Sequence, residues 1–250
     1  MMKENPLKKL ESYGQSIWID FISRGAINSG QIARWIEQDG VSGMTSNPSI
    51  FEKAIDESHD YDASIRAMAS EQKPLEEMFQ SLAVEDIQRA ADLFRPIYDR
   101  TEGGDGYVSI EVSPGLAHDT QGSIEEAQKL WKLVDRPNIF IKIPGTREGL
   151  PAVRQLLGAG VNINITLLFG LPRYREVTEA YLGGLEDLMA SKRKPLKNAA
   201  SVASFFLSRI DVLIDPMLEK MMQEGGPKAD TARAVHGQVA IASAKIAYQM

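Results

Sequence analysis

Six short runs of β-forming residues alternate with longer helical stretches along this chain, so consecutive strands cannot pair as hairpins. The runs are Ser16 to Phe21, Val41 to Asn47, Tyr107 to Ser113, Ile139 to Ile143, Val161 to Thr166 and a weaker one from Ala199 to Ser204. Between them lie apolar residues at helical spacing. Ser29 is expected to cap a helix with Ile32, Trp35 and Ile36 on one face, closed by Gly40. A long helical stretch runs from about Tyr61 to Arg100, broken near Lys73-Pro74. Ser123 and Glu126 have the spacing of a capping box before Ile124, Ala127, Trp131 and Val134. Leu150, Val153, Leu156 and Leu157 form a helix face ending at Gly158, and Tyr174, Val177, Tyr181 and Leu185 form the next. Strands joined through helices run parallel, which leaves two architectures, an open doubly wound sheet or a TIM barrel. No strand is followed by GxGxxG or GxxxxGK[ST], which weakens the nucleotide-binding sheet.

Strand alternation divides the runs into two faces. Ile17, Ile19 and Phe21, then Val108, Ile110 and Val112, then Ile139, Ile141 and Ile143, then Val161, Ile163 and Ile165 suit a helix-covered side. The opposite side carries Asp20, Glu111, Lys142, Asn164 and Thr166, all late in their strands. In a barrel that set faces the interior at the carboxyl end, where chemistry sits. Any one of them alone suits a half-exposed strand surface, but four strands with polar groups in the same relative place point to a site. A buried lysine must meet partners or lose its proton. Asp20 and Glu111, the carboxylates on inward strand positions, are its expected partners. A lysine amine held this way forms Schiff bases with ketones and aldehydes, and a neighbouring carboxylate moves the protons. That combination indicates a class I aldolase-type enzyme working without a metal or other cofactor.

Composition narrows the partners. The 250 residues carry a net charge of −6 and a predicted pI of about 5.3, which gives no reason to expect nucleic acid or an anionic membrane. There is no cysteine, which removes disulfides and thiol nucleophiles and fits a cytoplasmic location. Met1 to Leu10 is polar and reads as no secretory signal. The three histidines, His59, His118 and His236, are too scattered for a metal motif. The one basic run, Lys192-Arg193-Lys194, reads as a solvated loop.

GQSIWIDFISRG (Gly14 to Gly25), GMTSNPSIF (Gly43 to Phe51), SIEVSP (Ser109 to Pro114), IKIPGT (Ile141 to Thr146) and NINITLLF (Asn162 to Phe169) resemble the transaldolases in order and spacing, from about Asn5 to the last residue. The likeness is greatest to the longer bacterial subfamily. The resemblance implies that Lys142 is the Schiff-base lysine and Asp20 the general acid/base of the cleavage step. It implies that Glu111 and Thr166 position the catalytic water, and that Asn47 and Asn164 hydrogen-bond substrate hydroxyls. SFFLSR is similar to the family's S-x-F-x-x-R segment, in which Ser204 lines the site and Arg209 binds phosphate. The residues alone say less: Asn47 suits a turn before Pro48, Arg209 a surface and Ser204 a tight strand.

The implied activity is transfer of a dihydroxyacetone unit between small sugar phosphates in the pentose phosphate pathway. The alternatives are an aldolase that releases free dihydroxyacetone from fructose 6-phosphate, whose known forms lack the long helical insertion, and a catalytically silent fragment that only binds sugar phosphate. A homodimer is compatible with either enzyme. A barrel closes with eight strands. Asp211 to Asp215 is the sole candidate for a seventh run, and it falls where the family has helix. The expectation is therefore one barrel domain over residues 1–250 that lacks its last two strands.

Overall fold

The computed structural model describes residues 5–193 and 195–250. Residues 1–4 of the polar start and Lys194 of the basic run lie outside the described residues. The chain begins with α1 (Pro6–Glu11), β1 (Ile17–Asp20), α2 (Arg24–Asn28), α3 (Gln31–Arg34), β2 (Val41–Thr45) and α4 (Pro48–Asp56). It continues through α5 (Asp62–Ser70), α6 (Leu75–Arg100), β3 (Val108–Glu111), α7 (Thr120–Val134), β4 (Ile139–Pro144) and α8 (Gly149–Gly158). It ends with β5 (Ile163–Leu168), α9 (Leu171–Ser191), β6 (Ser201–Phe205), α10 (Ser208–Glu224), α11 (Pro227–Val235) and α12 (Val239–Tyr248).

The strands form one parallel sheet in the order β1-β2-β3-β4-β5-β6. A doubly wound sheet reverses its order at a switch point; this one does not. Right-handed crossovers all made in one direction put every connecting helix on the same face. The other face is then covered only if the sheet curls around it, so the architecture is α/β of the TIM-barrel type. The isoleucine set is the helix-facing side: Ile139, Ile141, Ile143 and Ile163 are fully buried. They share a core with Ala90, Ala91 and Phe94 of α6, Ala127 and Val134 of α7, and Val153 and Leu156 of α8. Burying each such isoleucine contributes roughly 1.5–3 kcal/mol.

The inward side has an aromatic floor. The Phe140 ring stacks on Tyr107 at 4.3 Å and on Trp18 at 6.0 Å between centroids. Trp18 lies flat over Gly43, where a Cβ would come within 2.3 Å of the indole, and its Nε1 donates to Asp105 at 3.0 Å.

Three local expectations are corrected. Ser29 starts no helix: it closes α2, which Ser23 caps by accepting from Ala26 N, and Gly30 at φ 71° breaks the chain before α3. Ser123 and Glu126 are inside α7, which begins one turn earlier with Asp119 accepting from Gly122 N at 3.0 Å. Glu126 instead accepts from Ser113 N at 2.8 Å, tying α7 to the chain leaving β3. The Asn47-Pro48 turn opens a nine-residue helix, α4, because Pro48 suits its first position and Asn47 caps it. Asp211 to Asp215 is helical, within α10, as the family likeness implied.

Candidate active site

Parallel register sets the centre of the site. Glu111 on β3 pairs with Lys142 on β4, and Lys142 pairs with Asn164 on β5. Side chains at paired positions project the same way, so all three point inward together. Lys142 is 5% exposed, and its Nζ lies 3.1 Å from Glu111 Oε2 and donates to the Ser46 carbonyl at 3.0 Å. The buried lysine has thus met partners. Burial pushes the Glu111 carboxyl above the usual carboxylate range, against the pull of the Lys142 ammonium, and the charge of Asp20 adds to the push.

Asp20 is not the second direct partner of Lys142 that the sequence suggests. β1 is separated from β4 by two strands, and Asp20 instead accepts from Thr45 Oγ1 on the neighbouring β2 at 2.7 Å. It stands exposed at the rim, on the cleft that Lys142 floors.

On the other flank a chain of hydrogen bonds fixes the inward amide. Ser204 Oγ donates to Asn164 Oδ1 at 2.9 Å, and Asn164 Nδ2 donates to Ser109 Oγ at 3.1 Å. Asn164 is fully buried and lies behind the cleft wall, whereas Ser204 and Thr166 line it.

The cleft holds about 640 Å³ at the carboxyl ends of the strands and brings together Asp20, Asn47, Glu111, Lys142, Thr166, Ser204 and Arg209. Asn47 Oδ1 is occupied as the α4 cap, accepting from Ile50 N at 3.0 Å, which leaves its amide nitrogen for the cleft. The Arg209 guanidinium stacks over Phe206 at 5.1 Å, and Phe206 stacks on Phe169. The sequence reading missed four contributors. Thr45 and Ser46 act on Asp20 and Lys142 from the end of the second run. Ser109 was visible on the inward face but carries no charge to single it out. Lys53 adds a second rim cation one turn into α4, a helix the reading did not assign. Among the described residues, no three His, Asp or Glu side chains converge to hold a metal ion.

The profile of the transaldolase/fructose-6-phosphate aldolase family matches residues 17–250. This chain belongs to that family. A transaldolase of Trichodesmium erythraeum is 47% identical over 250 residues, which is 99% of this chain and 66% of that protein. Transaldolase 2 of a Nostoc species is 46% identical over 251 residues, again 99% of this chain and 66% of the relative. A transaldolase of Saccharopolyspora erythraea is 47% identical over 248 residues and 65% of its length. The chain therefore spans about two thirds of the length of these curated transaldolases. Among the described residues no helix is long and apolar enough to cross a membrane.

Proposed function

We propose that this chain performs transaldolase chemistry. It moves a dihydroxyacetone unit from a ketose phosphate, sedoheptulose 7-phosphate or fructose 6-phosphate, to an aldose phosphate, glyceraldehyde 3-phosphate or erythrose 4-phosphate. The observation that carries the reading is a buried lysine amine 3.1 Å from a carboxyl, on the floor of an open cleft with an aspartate and an arginine at its rim.

In this reading Lys142 passes a proton to Glu111 and its Nζ adds to the ketose carbonyl carbon. Glu111 protonates the carbinolamine hydroxyl, water leaves and an iminium remains. Asp20 takes the proton of the C4 hydroxyl, the C3–C4 bond breaks, and its electron pair moves into the iminium to give an enamine and a free aldose phosphate. The enamine carbon then attacks the acceptor aldehyde, and Asp20 returns its proton to the new hydroxyl. Water held by Glu111 and Thr166 adds to the iminium, releasing the new ketose and the lysine. Arg209 holds the phosphate, and Asn47 and Ser204 hold substrate hydroxyls. Asn164, buried behind the cleft wall with its carboxamide bound to Ser109 and Ser204, acts on substrate through Ser204, which it orients. Residues 1–250 are read as one barrel-type domain acting in the cytoplasm on small sugar phosphates.

The test is incubation with fructose 6-phosphate, borohydride reduction and peptide mass spectrometry. A reduced dihydroxyacetone adduct on Lys142 is expected; a folded protein that yields none overturns the reading. The family name also covers fructose-6-phosphate aldolase. Product that forms only when an acceptor aldehyde is present separates transfer from simple aldol cleavage.

A further inference from the structure

Between the pairs Ile165↔Ala203 and Leu168↔Phe205, β5 advances three residues while β6 advances two. One extra residue is therefore inserted in β5, a β-bulge at Thr166-Leu167. Leu167 takes it up with a φ of +62°, a left-handed conformation that leucine rarely adopts.

The bulge changes which way the strand's side chains face. Plain alternation from Asn164 and Thr166 would turn Leu167 toward the helices and Leu168 inward. Instead Leu168 is fully buried in the helix-side core with Ile163 and Ile165. Leu167 is 40% exposed and lines the cleft beside Thr166. Two consecutive side chains are thus delivered to one site. The arrangement is pinned on both sides: Gly145 N donates to Thr166 O, and Phe206 N donates to Leu168 O, each at 2.8 Å. Gly145 packs closely against this segment: a Cβ there would come within 2.5 Å of Leu168 Cδ2 and would displace that side chain.

We propose that Leu167 is a positioning and specificity-determining residue of the site: its left-handed backbone holds Thr166 in the cleft, and its side chain forms an apolar wall for the carbon-bearing edge of the substrate. The proposal rests on the Schiff-base reading above. A glycine would adopt the same backbone without strain, so the leucine supplies something the turn itself does not require. A β-branched residue resists the left-handed region and would pull the bulge out.

Two substitutions separate these functions, read by the concentration dependence of Lys142 trapping with fructose 6-phosphate. Leu167→Gly keeps the bulge and removes the wall. Its half-saturating concentration is expected to rise about tenfold with the maximal rate nearly unchanged. Leu167→Val keeps an apolar side chain and loses the bulge, so its maximal rate is expected to fall about a hundredfold through misplacement of Thr166. Parental behaviour in both variants, or equal loss in both without this split, overturns the proposal. If the parent itself forms no adduct, the Schiff-base reading fails and the specificity claim falls with it. The backbone claim is then read by thermal melting, where Leu167→Gly should melt above Leu167→Val; the reverse order overturns it.

Discussion

Glu111 and Lys142 are direct register partners on adjacent parallel strands, and their charged ends stand 3.1 Å apart with little access to solvent. Replacing the lysine by methionine should abolish adduct formation, since no other described lysine floors the cleft. Glu111→Gln keeps the shape but removes the proton carrier. It should slow trapping by about 10²–10⁴-fold, measured as adduct accumulated against time. A glutamine variant that traps at the parental rate would remove Glu111 from the chemistry.

The same pair makes stability depend on pH in an identifiable direction. Burial raises the Glu111 carboxyl in the folded chain, so between its ordinary value and the raised one the folded state holds a proton that the unfolded state has lost. Its stabilising contribution is complete below the ordinary carboxylate range and is lost as pH rises through the folded value. The stability difference between parent and Glu111→Gln should therefore shift against the parent as pH rises across that window. Urea melts of the two proteins from pH 4 to 7 measure it; a difference that does not change with pH contradicts the assignment.

A second buried polar cluster supports the turn that follows Asp20. Arg24 Nε donates to Asp86 Oδ1 at 2.9 Å, and the Tyr61 hydroxyl donates to Asp86 Oδ2 at 2.8 Å. Burial pushes the Asp86 carboxyl up, opposed by the Tyr61 hydrogen bond and the Arg24 charge. Asp86→Ala leaves the buried Arg24 with only the half-exposed Glu85 carboxylate, 2.7 Å away, as an ionic partner, and should cost about 3 kcal/mol, the lower end for a broken buried pair. Tyr61→Phe removes one hydrogen bond to that carboxylate and should cost about 1–3 kcal/mol. Denaturant melts report both.

Asn47 has two separable roles, capping α4 and facing the cleft. Asn47→Asp preserves an accepting oxygen for Ile50 N and should melt near the parent. Asn47→Ala should lose about 1 kcal/mol. Both remove the amide donor, so both should raise the half-saturating sugar phosphate concentration. An aspartate variant with parental saturation would confine Asn47 to the cap.

The strands were legible because their two faces differ so strongly. Isoleucine and valine on one side and Glu111, Lys142, Asn164 and Thr166 on the other are what a curled, helix-covered sheet demands. All six runs became strands, with ends displaced by at most two residues. Helix starts were harder to read, because Ser23, Ser29, Asp119 and Ser123 are all competent caps and only tertiary packing chooses among them. Asp20 and Glu111 are alike in sequence, as carboxylates on inward strand positions, and only the strand order tells them apart: β3 is next to β4 and β1 is not. Leu167 was invisible for a related reason: a leucine after Thr166 continues a β pattern, and nothing in its type announces a positive φ.

Trp18, Tyr107 and Phe140 lie beneath Lys142 as a stacked layer, with Phe140 on the same strand and the same face two residues earlier. Such a layer works as electrical and chemical insulation. On the side away from that layer the amine meets Glu111 and the cleft. In the proposed Schiff-base reaction, that layer would shield the covalent intermediate on its lower side.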